Sequence, residues 1–292
     1  MGERVARPRH AGGEASRAPG GWGPNATFRY PARGGTGAIW QGVARLVPPA
    51  RLRFGAQVLA VDAGARVVSL ATGERVPYDT LISTLPLDVL VSSLGSLPAG
   101  ARAAATHLVA NTVELVGIGV AAPPSPGMRR RTWMYYPEAA SPYYRVTVLS
   151  NYAPANAPGE DCYSLLTESS HPRGTAIDAG ALVRATREAL VGDGLMTRGT
   201  PVRSVWHRTL PRGYPVPTRG RDAALAAVHG ALEPARIYAR GRFGGWKYEV
   251  SNQDHSFMQG VELVERLLLG RPEVTYPHPE IANGRYAKAG DA

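Results

Sequence analysis

The sequence has one cysteine, very few lysines and no long apolar run. Because Cys162 is the only cysteine, the 292 residues can form neither an internal disulfide nor a cysteine-based metal cluster. A lone, buried thiol is typical of a reducing compartment, so we expect a cytoplasmic location. The absence of any stretch of about eighteen apolar residues argues against an integral membrane segment. The 7 histidines are not spaced as metal ligands, so no metal site is predicted.

Positive charge is in excess, but it is dispersed. The net charge is +10, and arginine carries nearly all of it, since Lys247 and Lys288 are the only lysines. Residues 129–131 form the only tight run of arginines. No helix-turn-helix, zinc-finger or RNA-recognition signature accompanies them, so nucleic acid is not an expected partner. The charge instead favours a site for small anions such as pyrophosphates.

A glycine-rich turn near the C-terminus separates a predicted strand from a predicted helix. The apolar residues 235–239 indicate a short buried strand, and glycines follow at 241, 244 and 245. Phe257, Val261, Val264 and Leu268 then recur at helical spacing. The first turn of such a helix offers unpaired N–H groups, which suit an anion or a polarised carbonyl.

Two further segments have the same kind of pattern. Residues 34–37 form a glycine-rich loop that opens an amphipathic helix, which Pro48 and Pro49 end. Residues 78–87 form a buried strand that ends in a Thr-x-Pro turn. Glycine allows a backbone to turn sharply or to approach a ligand closely, so both glycine-rich loops are candidates for cofactor contact.

The middle of the chain follows a different pattern. Three strand-like runs, 132–136, 144–151 and 162–169, succeed one another without a helix between them, which indicates an antiparallel sheet. A hydrophobic content of 44% and a charged content of 19% are typical of a globular protein. We therefore predict an α/β (α+β) protein in which a sheet domain is inserted into a cofactor-binding domain.

The three motifs resemble those of a known group of flavoproteins. Gly241-Arg242-x-x-x-Trp246-x-Tyr248, followed by Asn-Gln-Asp at 252–254, resembles the C-terminal flavin motif of UDP-galactopyranose mutase and protoporphyrinogen oxidase-like FAD proteins. The Tyr-Pro-x-x-Gly-Gly-x-Gly run at 30–37 is similar to their loop beside the isoalloxazine ring. Two extra residues before Asn252, and Gln253 in place of a methionine, favour the sister group of FAD-dependent amine-oxidoreductase-like proteins.

The resemblance implies a domain organisation and a set of site residues. Residues 1–25 are a disordered remnant, 26–95 and 218–270 form a partial FAD-binding domain of the amine-oxidase/mutase type, 96–217 form a mostly antiparallel substrate domain, and 271–292 are a frayed tail. The implied cofactor-binding residues are Gly34, Gly35, Thr36, Gly37, Val58, Thr84, Pro86, Gly241, Arg242, Asn252, Asp254, Ser256, Phe257 and Met258. The substrate candidates are Trp246, Tyr248, Tyr136, Arg145, Asn151 and Glu168. Valine at Gly35 or Gly244 is expected to reduce flavin retention. No catalytic residue is assigned.

The Gly-x-Gly-x-x-Gly fingerprint that binds the ADP part of FAD does not occur in a strand–helix context in this sequence. We therefore expect the chain to correspond to the C-terminal two thirds of a flavoprotein, with a separate N-terminal dinucleotide-binding half as its partner. Alone, it should be inactive and hold no FAD. The main hypothesis is an FAD-dependent oxidoreductase-like protein of cell-surface polysaccharide or lipopolysaccharide metabolism. The alternatives are a UDP-galactopyranose mutase-like isomerase of a nucleotide sugar, and a non-catalytic fragment or subunit that completes a flavin site.

Overall fold

The computed structural model describes residues 29–283, so the predicted remnant at 1–25 and the end of the predicted tail lie outside it. The helices are α1 Gly37–Ala44, α2 Leu87–Ser93, α3 Ala99–Ala105, α4 Ala179–Gly192, α5 Arg221–Leu232, α6 Gln253–Leu269 and α7 Pro279–Ala282. The strands are β1 Val58–Asp62, β2 Val67–Leu70, β3 Arg75–Pro77, β4 Leu81–Ser83, β5 Asn111–Val120, β6 Trp133–Tyr135, β7 Arg145–Val148, β8 Tyr163–Pro172, β9 Val202–Leu210 and β10 Ile237–Ala239. Among the described residues, no helix is both long enough and apolar enough to cross a bilayer.

The chain divides into two compact units, each made of two segments. The first unit contains the residues up to Leu52 together with Thr112–Pro211, and the second contains Arg53–Asn111 together with the residues from Arg212 onward. Residues 29–52 therefore group with the central sheet, whereas the sequence analysis assigned all of them to the cofactor-binding domain.

The first unit is built on a five-stranded sheet in the order β6-β7-β8-β5-β9. The pairs β6–β7, β7–β8 and β5–β9 are antiparallel, which confirms the predicted antiparallel sheet. Alternate residues of a strand point to opposite faces. One face carries Val116, Ile118, Val146 and Leu165 into a core to which Leu190 of α4 also belongs. The opposite face carries Tyr135, Arg145 and Glu168 on strands β6, β7 and β8.

The second unit contains two smaller sheets. Strands β1, β2 and β3 form an antiparallel meander. The dipeptide Thr72-Gly73 in the sequence predicts a hairpin turn, and Gly73 lies between β2 and β3 at a φ of 86°. Strands β4 and β10 pair in parallel, although about 150 residues separate them. The side chains of Leu87, Leu225 and Trp246 fill the core of this unit.

The segment after α6 is packed, so the prediction of a frayed tail is wrong for residues 271–283. Glu273 and Thr275 are buried, and the Glu273 carboxylate accepts two hydrogen bonds of 2.6 Å from the Arg240 guanidinium. The Glu262 carboxylate of α6 accepts the backbone N–H groups of Val274 and Thr275. No apolar pattern marks this segment in the sequence, because charged and hydroxyl side chains hold it in place.

His229 of α5 makes the stability of the second unit depend on pH. Its Nε2 lies 2.8 Å from the Tyr276 hydroxyl, while Nδ1 is buried and has no hydrogen-bond partner among residues 29–283. Burial, together with the Arg240 and Lys247 charges, lowers the pKa of His229 from 6.5 to about 3. The unfolded chain therefore binds the proton first as pH falls below about 6.5.

Acidification should consequently destabilise the fold by about 1.4 kcal/mol per pH unit through this residue, between the unfolded and the folded pKa. Urea unfolding at pH 7 and pH 5 measures the loss, and His229→Gln should show a smaller loss than the parent over the same interval. An identical pH dependence in both proteins would contradict the role of His229.

Candidate functional site

The face of the five-stranded sheet opposite α4 carries a row of three residues on neighbouring strands. Tyr135 of β6 pairs with Arg145 of β7, and Arg145 pairs with Glu168 of β8. Directly opposed residues of paired strands project from the same face. Tyr135 is 51% exposed, so at least this end of the row is accessible to solvent. The row places a cation between an aromatic ring and a carboxylate.

Glu168 fixes the orientation of the Arg145 guanidinium. The Arg145 Nε donates to Glu168 Oε1 at 2.7 Å, and the Tyr144 hydroxyl donates to Glu168 Oε2 at 2.8 Å. The Arg145 Cζ also lies 6.0 Å from the Tyr135 ring centroid and 5.9 Å from that of Tyr144. Because Glu168 is buried, its charge is weakly screened and holds the guanidinium firmly. A planar guanidinium held in this way is suited to bind two oxygens of a phosphate.

Further aromatic rings extend the same site. Tyr152 lies edge-on to Tyr30 at a centroid distance of 5.1 Å and 6.4 Å from Trp133. Burial raises the pKa of the Tyr152 hydroxyl, and the neighbouring positive charge of Arg145 offsets part of that rise. The arginine is therefore surrounded by ring surfaces that can pack against a sugar or a base.

The structure brings together only two of the six predicted substrate residues, Arg145 and Glu168. Tyr136 packs against the core on the α4 side, with its ring 5.1 Å from that of Tyr143. The Asn151 amide donates to the backbone oxygens of Met128 and Arg131 and so joins two turns.

The other two substrate candidates, Trp246 and Tyr248, lie in the second unit. Trp246 is fully buried, and its Nε1 donates to the Val109 oxygen at 3.1 Å, so the structure places it in the core rather than at a cavity wall. Tyr248 is exposed, and its ring lies 5.8 Å from that of Tyr214.

The predicted flavin loop of the first unit has an open backbone. Gly34 and Gly35 adopt positive φ values of 79° and 63°, which residues other than glycine rarely adopt. Thr36 is the N-cap of α1 but makes no side-chain capping bond, and a Cβ at Gly37 would meet no atom within 4 Å. The open space at Gly37, at the start of α1, fits the edge of a bound aromatic ligand such as a flavin.

The start of α6 in the second unit has a similar character. Asn252 occupies the N-cap position without a side-chain capping bond, and Asp254 lies in the first turn. The Ser256 N–H bonds to the Asn252 oxygen. Phe257 and Met258 are 50% and 42% exposed, so an apolar surface adjoins the helix start. This combination fits the polar edge and the apolar face of an isoalloxazine ring.

The two predicted cofactor positions in the glycine turn of the second unit differ in how many contacts they make within the protein. Gly241 has a φ of 85° and open space at its α-carbon, whereas Arg242 donates to the Ser251 and Gly213 oxygens and stacks 4.4 Å from the Tyr214 centroid.

Three further positions lie on or beside strands. Val58 is exposed in β1, and Thr84 is exposed just after β4. Pro86 is the N-cap residue of α2.

Gly244 is required by the turn itself. A Cβ at this position would lie 2.8 Å from the Arg240 nitrogen and closer still to its carbonyl oxygen. The expected sensitivity of Gly244 to substitution therefore has its cause in backbone packing within residues 240–244. By contrast, a Cβ at Gly35 would meet only the Tyr30 hydroxyl, at 3.3 Å.

Sequence reasoning missed the aromatic residues around Arg145, namely Tyr30, Trp133, Tyr135, Tyr144 and Tyr152. A period-two pattern that placed Trp133 and Tyr135 on one face with Arg145 was the available signal.

Comparison with known proteins agrees with this geometry. The family model described as flavin containing amine oxidoreductase matches residues 6–188, which is more than half of the chain. The chain belongs to the flavin-containing amine oxidoreductase family.

Solved structures support the assignment. The structure of a reduced UDP-galactopyranose mutase matches 92% of this chain with a TM-score of 0.86 and 40% identity. A protein described as a protoporphyrinogen oxidase from Exiguobacterium sp. 255-15 matches 81% with a TM-score of 0.64 and 16% identity, and a fatty acid isomerase from P. acnes matches 80% with a TM-score of 0.58 and 14% identity. The last two show similarity of fold alone. The chain spans 58%, 51% and 52% of these three structures, respectively.

Proposed function

We propose that the chain forms the substrate-binding part, and part of the flavin site, of an FAD-dependent enzyme that acts on a nucleotide sugar. The observation that carries the proposal is the Arg145 guanidinium, oriented by Glu168 and surrounded by aromatic rings. The guanidinium suits a diphosphate, and the rings suit the sugar and the base. The 40% identity to a UDP-galactopyranose mutase over 92% of the chain supports this substrate class.

Two reactions are compatible with such a site. One is the net oxidoreduction that the family name implies, and the other is an isomerisation of the sugar without net redox, as the name of the mutase implies. The similarity to the mutase favours isomerisation, even though Gln253 and the two additional residues before Asn252 depart from the mutase motif. Because nucleotide sugars are building blocks of polysaccharides, we propose cell-surface polysaccharide metabolism as the context, with the cytoplasm as the location.

The residues that would hold FAD are those with open backbone or exposed edges. In the first unit they are the glycines of residues 34–37, and in the second they are Gly241 and the start of α6. The bound flavin would supply the redox-active ring. The residues of this chain would orient the sugar diphosphate, through Arg145, and shield it from water with the surrounding rings.

The chain is expected to retain no FAD by itself. The ADP half of the cofactor needs a glycine fingerprint at a helix N-terminus and a carboxylate for the ribose, and the 292 residues lack the fingerprint. Gel filtration with excess FAD should therefore give protein without bound-flavin absorbance, and the N-terminal βαβ unit of a related protein, added in trans, should restore it. A chain that keeps stoichiometric FAD alone would contradict this expectation.

Arg145→Ala tests the proposed substrate site in that reconstituted protein. We expect kcat/KM for UDP-galactopyranose to fall about 100-fold, because a charge-assisted contact to the diphosphate is lost. Arg145→Lys keeps the charge without the fork and should lose less. Arg198→Ala, at an exposed loop position, should retain the parent activity. Full activity of Arg145→Ala would contradict the proposed substrate site. A net-oxidised product would show that the reaction is an oxidoreduction and not an isomerisation.

A further inference from the structure

The first unit contains a cavity that Arg145 does not line. Its volume is about 730 Å³, which lies in the range of small-molecule sites. Arg33 and Arg129 line it from two different segments, together with Ser150 and Glu160. Prolines and alanines, such as Pro154 and Ala155, form much of the rest of the wall. The cavity thus combines two cations with a largely apolar surface.

Contacts at both sides hold the cavity walls in place. The Arg33 segment is anchored by Tyr30, whose ring packs edge-on against Tyr152. The Arg129 turn is anchored by the buried Met128, whose backbone oxygen accepts a hydrogen bond of 2.7 Å from the Asn151 amide. Each arginine thus lies close in sequence to a residue that is packed or hydrogen-bonded within the first unit, which lowers the entropic cost of binding.

The two guanidinium groups have no carboxylate partner. Within residues 29–283, neither Arg33 nor Arg129 forms an ion pair or a side-chain hydrogen bond. Glu160 lies in the same wall but is not within ion-pair distance of either arginine. Both arginine side chains are exposed, so a ligand can reach them from solvent. Two unneutralised arginines that line one cavity form a favourable site for a phosphate dianion.

We propose that this cavity binds a small phosphate ester, with Arg33 and Arg129 holding the phosphate. The volume exceeds what inorganic phosphate needs, so the proline and alanine surface contacts the organic part. Ser150 and Glu160 are placed to accept or donate hydrogen bonds with hydroxyl groups of a sugar. Arg145 is not among the residues that line this cavity, and the proposal does not depend on the reaction that the flavin performs.

Isothermal titration calorimetry of the full chain with glucose 1-phosphate and with inorganic phosphate tests the proposal. We expect the ester to bind several-fold more tightly than inorganic phosphate. Arg33→Ala/Arg129→Ala should weaken ester binding at least tenfold, and Ala155→Trp, which fills the cavity without changing charge, should weaken it comparably. Arg198→Ala should bind as the parent does, and Arg145→Ala is measured beside it to distinguish the cavity from the diphosphate site. Thermal unfolding of each variant checks that the fold is retained.

The other outcomes overturn the proposal. Equal binding by the double variant and the parent would exclude the two arginines. An equal loss in Arg198→Ala would show nonspecific attraction to a basic protein, and a loss confined to Arg145→Ala would place the ester at the diphosphate site instead. Ester and phosphate binding of equal strength would exclude an organic ligand in the cavity.

Discussion

Gly244→Ala is expected to destabilise the second unit by about 3 kcal/mol or more. The added methyl group would lie 2.8 Å from the Arg240 nitrogen and even closer to its carbonyl oxygen. Neither atom can move freely, because the Arg240 N–H bonds to the Ser83 oxygen at 3.0 Å and joins the turn to β4. Urea unfolding monitored by tryptophan fluorescence measures the loss, since Trp246 follows the turn directly.

Gly260→Ala is the matched control. Gly260 lies within α6, and a Cβ there would meet no atom within 4 Å. Alanine has the higher helix propensity, so this variant should be more stable than the parent by up to about 1 kcal/mol. If Gly244→Ala left stability unchanged, the turn would have a geometry different from the one described. Contact with the flavin would then be the better explanation for this glycine.

Glu273→Gln is expected to cost about 3–5 kcal/mol, because it leaves the buried Arg240 without its counter-charge. Both groups are only 4% exposed at their side chains and are joined by two hydrogen bonds of 2.6 Å. Glu233 cannot replace the lost carboxylate in place, since its nearest oxygen is 3.9 Å from Arg240. The midpoint of urea unfolding should fall accordingly.

The comparison variant for this prediction is Glu280→Gln. Glu280 is 58% exposed at its side chain and lies 3.3 Å from His278, so its removal should change stability by less than about 0.5 kcal/mol. A similar loss in both variants would mean that net charge, rather than the buried pair, determines the effect.

Local sequence patterns predicted the elements that depend on few neighbours. The Thr-Gly hairpin, the strand–turn–helix around residues 237–269 and the sheet of the first unit all occur, because turn chemistry and periodicity act within a short window. The family assignment likewise followed from short motifs, and the family match confirms it.

Strand register explains why Tyr136 packs on the core side of the sheet and not beside Arg145. Neighbouring residues of a strand point to opposite faces, so an error of one position exchanges the site face for the core face. The sequence offers tyrosines at both 135 and 136, and only the pairing of β6 with β7 places Tyr135 beside Arg145. No local pattern contains that information.

The sequence also did not predict the buried polar contacts of the second unit. Gln259 is buried at 1% exposure, and its amide bonds to the backbone of both Gly241 and Val250. In the sequence it stands on a helix among polar residues, where it reads as exposed. Its burial depends on the turn at Gly241 and on Val250, which lie 18 and 9 residues before it in the sequence.

The packed segment after α6 has a consequence for the order of folding. Tyr276 lies against the glycine turn, since a Cβ at Gly245 would be 3.0 Å from its ring, and the Lys247 ammonium lies 4.8 Å from the same ring. The first half of the second unit, Arg53–Asn111, also waits for residues beyond Arg212 before its parallel strand pair can form. During synthesis the sheet of the first unit can therefore be complete while the second unit still exposes unpaired strand edges. The nascent chain is thus most vulnerable to aggregation in the interval between the emergence of β9 and that of Tyr276.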